Sequence, residues 1–225
     1  MGRRKCRRIL RKITLPLQLA NGAIEDSPDS YDWKDSIKNP YGRSFAKLYT
    51  AIQGREVETY REVGKLAGDE IFKTNLYPIA FNSTDSKLWH KHGLDEITGF
   101  ESKHLFNTWC FFNRFPSFVK LRKANRPKLI ICTGKDYLRD FLMFFGGINS
   151  SEKVKSASIT PKSEANRYDR TYYWLRLDSD TLLVVIPLFS GSYGLNSNYL
   201  LQEIGCRIAG LLAEHEIHLS QDDLL

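Results

Sequence analysis

Three short stretches of the chain hold the side chains best suited to chemistry. Gly22-Ala23-Ile24-Glu25-Asp26-Ser27-Pro28 carries two adjacent carboxylates, and Thr74-Asn75-Leu76-Tyr77-Pro78 sets an amide beside an aromatic ring. Ile186-Pro187-Leu188-Phe189-Ser190-Gly191-Ser192 ends in hydroxyls and glycine. A carboxylate can position and activate water, an asparagine amide can donate and accept along the edge of a heterocycle, and a Ser/Gly loop offers hydroxyls and backbone N–H groups to a phosphate. Each stretch also has a plainer reading. Asp26-Ser27-Pro28-Asp29-Ser30 is what a turn requires, Asn75 can satisfy loop backbone, Tyr77 and Phe81 can be core residues, and Trp33 in its acidic loop suits packing and function equally.

Other constellations fall short of a site. His90 and His92 with Asp85 lack a third strong ligand at metal spacing and read as solvated loop residues. Thr133-Gly134-Lys135 resembles the end of a phosphate loop, yet the upstream glycine is missing and Pro127 to Cys132 reads as plain strand. Cys6, Cys110, Cys132 and Cys206 stand alone, with no C-x-x-C pair, so neither a zinc knuckle nor an iron–sulfur set is spelled out and reduced thiols are expected.

The elements that must position these stretches follow from periodicity. Ile13 to Ala20 reads as a strand whose Pro16 places it at an edge or bulge, followed by an acidic, Ser- and Pro-rich loop to about Asn39-Pro40. Ser44 opens a helix with Phe45, Leu48, Tyr49 and Ile52 on one face, and Val63, Leu66, Ala67, Ile71 and Phe72 repeat that spacing. Thr74 to Pro78 then looks like a strand end. Residues 82 to 99 are polar, Phe106 to Phe112 strongly aromatic, and Ser117 to Ala124 a short helix. Pro127 to Gly134 is the clearest buried parallel strand, and Lys135 to Phe145 is a helix ending at Gly146-Gly147, together half of a βαβ unit. Residues 148 to 170 read as loop, Tyr172 to Leu177 and Leu182 to Phe189 as neighbouring strands, and Ser197 as the cap of a last helix with Leu200, Leu201, Ile204, Ile208, Leu211 and Leu212 in one stripe. Alternating strands and helices predict a single-domain α/β sandwich around a central, mostly parallel sheet, with functional loops at the strand C-terminal ends.

Composition narrows the function classes. The 225 residues are 42% apolar and 26% charged, which excludes repeat arrays, collagen and a mainly disordered chain. Thirty-three Lys and Arg against 26 Asp and Glu leave +7, so the surface should attract polyanions, nucleic acid first among them. Seven of those cations (Arg3, Arg4, Lys5, Arg7, Arg8, Arg11, Lys12) crowd residues 1–12, a segment that either grips phosphate or is a solvated tail. No apolar run approaches the roughly 20 residues of a membrane span, and no apolar h-region follows the basic start, so a cytoplasmic protein is expected.

The order and spacing of the three stretches resemble the uracil-DNA glycosylase superfamily over roughly Leu15 to Leu212. Gly22 to Pro28 resembles its glycine-to-carboxylate-to-proline water-activating motif, Thr74-Asn75 its strand-end asparagine, Pro127 to Phe145 its central strand and helix, and the last stretch its DNA-inserting loop. The resemblance implies a three-layer sandwich over 13–225, no metal or redox cofactor, and DNA as partner; the sequence leaves the oligomeric state open, with a monomer expected. It further implies that Asp26 or Glu25 stabilises a cationic sugar and positions water, as carboxylates do in glycoside hydrolysis, while Asn75 reads a flipped base that stacks on Tyr31, Trp33, Tyr77 or Phe81. Ser190, Ser192 and Arg43 would hold phosphates, with Tyr193 or Leu195 wedged into the vacated space.

The chain departs from the family at one point. Where the family often has His-Pro-Ser or a close variant, this chain reads Ile186-Pro187-Leu188-Phe189-Ser190. Losing one donor to a developing anion typically costs about 3 kcal/mol. Another group takes that role, the leaving base is intrinsically better, or turnover has been lost to leave a nucleic-acid-binding module. Excision of a modified cytosine from phage DNA, as some bacterial members of the superfamily perform, is one expected form of the activity.

Overall fold

The computed structural model describes residues 37–61, 72, 74–78, 87–147, 153–162 and 168–217. In chain order the elements are α1 (Pro40–Ile52), a 3-10 turn (Val57–Thr59), α2 (Leu88–Lys91), α3 (Leu94–Thr98), α4 (Lys103–Asn113), α5 (Phe115–Asn125), β1 (Leu129–Thr133), a 3-10 turn (Lys135–Tyr137), α6 (Leu138–Phe141), a π-helical turn (Leu142–Gly146), β2 (Lys155–Ile159), β3 (Arg170–Arg176), β4 (Leu182–Ile186) and α7 (Asn198–Glu214). They fall into two compact units, one holding the sheet with α1, α6 and α7, the other holding α2 to α5 and the π-helical turn. The expected strand over Ile13 to Ala20, the basic segment 1–12 and most of the helical pattern from Val63 to Phe72 lie outside the described residues.

The first unit is a mixed α/β fold. Among the described residues its sheet has four strands in the order β1-β4-β3-β2, with β1 parallel to β4 and the other two neighbouring pairs antiparallel. The expectation of a mostly parallel sheet is corrected here: one neighbouring pair of three is parallel. The reason lies in residues 148 to 170, which read as loop but contain β2. Its sequence, Lys155-Ser156-Ala157-Ser158-Ile159, is polar, and among the described residues it pairs on one side only and is largely exposed. Such an edge strand carries little of the apolar alternation by which strands are recognised. The helical segment after β1 therefore leads to the far edge of the sheet rather than to an adjacent parallel strand.

β4 is the centre of the unit, and all five of its residues, Leu182 to Ile186, are essentially inaccessible. Leu182, Val184 and Ile186 share a core with Leu48, Ala51 and Ile52 of α1 and Leu200, Leu201, Ile204 and Ile208 of α7. Leu183 and Val185 on the opposite face are buried as well. A strand covered on both faces reads as a continuous apolar run, which is why Leu182 to Phe189 was legible. α7 begins as expected, the Ser197 hydroxyl accepting from the Leu200 N–H at 3.2 Å. α1 begins four residues earlier than Ser44: the Asn39 side chain accepts from the Gly42 N–H at 2.7 Å and Pro40 takes the first turn. An asparagine cap before proline is a strong start signal, since proline lacks the N–H that a first turn leaves unpaired.

The second unit packs aromatic rings rather than a sheet. Phe144 from the π-helical turn stands edge-on to Phe115 at 5.0 Å and stacks on Phe118 at 4.1 Å, while Trp89 lies 5.4 Å from Phe106. Trp89 is 1% exposed and its indole N–H donates to the Phe100 carbonyl at 2.8 Å. Part of the polar stretch 82 to 99 is thus two short helices around a buried tryptophan. Thr74 to Pro78 forms no strand; it is irregular, and its backbone is held from elsewhere in the unit.

Candidate functional site

The parallel pair ends at one edge of the sheet, and three segments of the first unit meet there. The ladder continues one residue past β1, the Gly134 N–H donating to the Ile186 carbonyl at 2.8 Å. Gly134 holds φ +106°, a backbone region favourable only to glycine, so the chain turns sharply after β1. The start of α1 is tied to this turn: the Tyr41 hydroxyl lies 3.1 Å from the Thr133 hydroxyl, and the Tyr41 ring meets Phe189 edge-on at 5.1 Å. Arg43, one turn into α1, is exposed. Crevices beyond the carboxyl ends of parallel strands are where α/β sheets commonly bind ligands.

The loop after β4 closes on itself. Leu195 N–H donates to the Leu188 carbonyl at 2.7 Å and Gly194 N–H to the Gly191 carbonyl at 3.1 Å, while the Asn196 amide donates to the same Gly191 carbonyl at 3.0 Å. A Cβ at residue 194 would stand 2.1 Å from the Ser190 carbonyl oxygen, so only glycine allows this closure. Ser190, Gly191, Ser192 and Tyr193 form its exposed crown. Leu195, expected as a wedge into DNA, is corrected: it is 1% exposed and belongs to the core beneath. Within an apolar core its side chain cannot reach a duplex, and Tyr193 is the exposed ring of the loop. A hydrogen bond with Tyr168, and then the repulsion of that neighbour's charge, hold the Tyr193 phenol above its ordinary 10.0.

Asn75 and Tyr77 lie in the second unit. The Asn75 side chain is exposed, and its backbone is fixed by Arg114, whose guanidinium donates to the Asn75 carbonyl at 2.8 Å and to the Leu76 carbonyl at 3.2 Å. Arg114 is itself 6% exposed and sits 4.5 Å over the Phe118 ring. Burial lowers its pKa. An amide projecting from a clamped backbone is an oriented donor and acceptor pair, suited to reading a heterocycle edge. Tyr77 is half-buried, 6.0 Å from Phe115, and packs against the aromatic core, which agrees with the plainer of its two readings. Asp26, Glu25, Tyr31, Trp33 and Phe81 lie outside the described residues.

His90 pairs with Asp95 at 2.8 Å, and this hydrogen bond holds the Asp95 carboxyl below its usual range. Among the described residues no group of three His, Cys, Asp or Glu is placed to hold a metal ion. No helix among them is long and apolar enough to cross a membrane.

Sequence reasoning missed the Tyr41–Thr133 contact and the three arginines buried among the described residues, Arg114, Arg122 and Arg170. The only trace of Arg114 was a charge set inside the aromatic run Phe111-Phe112-Asn113-Arg114-Phe115. A cation flanked by rings on both sides is either stacked or misplaced, and here it is stacked. Comparison of the chain with family profiles, with curated proteins and with solved structures finds no match in any of the three.

Proposed function

We propose that this chain is a monofunctional DNA glycosylase of the uracil-DNA glycosylase fold, a three-layer α/β sandwich, acting on uracil or a modified cytosine. The observation that carries the reading is the closed loop after β4. It sets two serine hydroxyls, glycine backbone and an exposed tyrosine beside the ends of the parallel pair, on a chain of net charge +7. That is the chemistry of a phosphate and base contact.

In the proposed reaction the base is swung out of the helix and its N-glycosidic bond breaks toward a cationic sugar and an anionic base. Asp26, with Glu25 beside it, stabilises the sugar and accepts a proton from the water whose oxygen bonds to the anomeric carbon. Asn75 donates to and accepts from the edge of the base, which stacks on a ring such as Tyr31, Trp33 or Phe81. Ser190, Ser192 and Arg43 hold phosphates. The products are a free base and an abasic site, and the chemistry calls on no metal or redox group. Removal of hypermodified cytosine from phage DNA, as antiviral defence, is the form that the histidine-free final motif favours, because a better leaving base needs less help from a donor.

That same motif supports a second reading, a nucleic-acid-binding module without turnover: from Ile186 to Ser192 the chain presents no imidazole to a leaving base. The test is mass spectrometry of bases freed from ordinary, uracil-containing and hypermodified DNA, with Asp26→Ala as control. A base released by the wild type and not by the variant supports the enzyme. Salt-sensitive binding with no product supports the module. Free nucleosides cleaved as fast as polymer would point instead to a nucleoside hydrolase.

A further inference from the structure

One buried guanidinium ties down the backbone beside two neighbouring exposed tyrosines of the first unit. Arg170 at the start of β3 is 1% exposed; its Nε donates to the Gly194 carbonyl at 2.8 Å and its Nη1 donates to the Tyr168 carbonyl. Gly194 directly follows Tyr193, so each bond fixes the backbone beside one tyrosine. The Tyr168 and Tyr193 rings lie 4.6 Å apart at 39°, and the residues are 57% and 55% exposed. A charge taken out of water is costly unless fully hydrogen-bonded, yet among the described residues Nη2 of Arg170 has no partner and no carboxylate neutralises it. What the arrangement secures is the position of two rings that contribute to neither core. Gly194 adds the second restraint, since its closed turn excludes any side chain.

Two adjacent rings exposed to solvent on an anchored backbone form an apolar surface suited to a partner. We propose that the Tyr168–Tyr193 pair is a stacking platform for an unpaired base of single-stranded DNA, with Arg170 as the positioning residue that sets it. Aromatic pairs take up bases because every base offers a π-face, and rings with few torsions lose little freedom on binding. The neighbouring Ser190 to Ser192 crown supplies hydroxyls for a flanking phosphate, and the chain's excess of cations favours a polyanion. This inference rests on the nucleic-acid part of the proposed function and not on bond cleavage. It makes Tyr193 a platform rather than a wedge and adds Tyr168, which no motif singled out.

The experiment compares binding of a short labelled single strand with binding of the same backbone lacking bases. Stacking one base should give wild type a preference of about 5- to 150-fold for the base-bearing strand. The Tyr168→Ala/Tyr193→Ala double variant should bring that preference to within about 2-fold of unity, and the corresponding Phe variants should keep it. Arg170→Met should lower the preference with both tyrosines present; because burial makes this variant prone to unfold, the surface double variant decides the matter. Equal binding of the two strands by wild type, or a preference surviving in the double variant, overturns the platform. If base release from DNA persists in that case, the platform alone falls. No binding to either strand overturns the nucleic-acid reading with it.

Discussion

The Arg114 guanidinium and the Asn75 carbonyl meet at 2.8 Å, joining a buried cation stacked on Phe118 to the residue whose exposed amide is the candidate base reader. Stability and chemistry are thereby assigned to different atoms of one short segment. Arg114→Ala removes the donor from two carbonyls and leaves a void over an aromatic ring, and should cost about 2–3 kcal/mol in urea unfolding. Arg114→Lys should cost less, keeping the charge without the fork.

Asn75→Ala should behave in the opposite way. Its amide is exposed and makes no side-chain hydrogen bond among the described residues, so stability should stay within about 0.5 kcal/mol of wild type. Base release, measured on the DNA that supports it, should fall by at least about 10-fold, the loss of one charge-free hydrogen-bonding pair. A variant as active as wild type would remove Asn75 from the site.

Gly194→Ala places a Cβ 2.1 Å from the Ser190 oxygen and 2.6 Å from the Leu188 oxygen, both backbone atoms that cannot swing aside. The loop must open, so single-strand binding should be lost while β4 and α7 remain folded. Circular dichroism and a binding isotherm check the two halves. Unchanged binding would show that loop closure does not set the contact.

Gly205→Ala tests the packing of α1 on α7. The added methyl would stand 2.3 Å from the Ala51 Cβ and 3.0 Å from the Ala51 carbonyl carbon, so the helices must separate. A loss of about 1–3 kcal/mol in denaturant unfolding is expected, typical of overpacking.

The thiols should sort by burial. Desolvation pushes Cys110 up to about 12 and the buried Cys132 further, while Cys206 is exposed. Because the thiolate is the nucleophile, iodoacetamide near pH 8 should label Cys206 and spare Cys110 and Cys132 until the chain unfolds. Above the ordinary 9.0 the unfolded chain releases the Cys110 proton while the folded one keeps it, so this contribution to stability is present below pH 9.0 and lost as pH rises toward about 12. Peptide mapping after native labelling is the check.

The sequence was most legible where one physical signal dominated. The stripe from Leu200 to Leu212 and the Ser197 cap specify α7 outright, and a run of five apolar residues specifies β4. It was least legible where a residue's environment comes from distant chain. β2 is polar and, among the described residues, lies at the sheet edge; Trp89 is buried within a polar stretch because Phe106 and the Phe100 carbonyl receive it. Leu195 looked like an exposed loop residue because nothing nearby reveals that the loop folds its end into the core. At the candidate site the crown Ser190 to Tyr193 was read from residue types alone. The arginines that fix Asn75 and Tyr193 were not, since buried guanidinium groups are recognised only by the carbonyls they meet.

The most direct test of the central claim counts abasic sites. DNA carrying the base identified by its release is incubated with excess protein, and aldehyde sites are quantified against free base in a single turnover, with strand integrity followed before alkali. Base excision by a monofunctional glycosylase gives one abasic site per freed base, intact strands, and neither product with Asp26→Ala. Free base without abasic sites, cleavage of strands without alkali, or equal yields from the Asp26→Ala variant would contradict it.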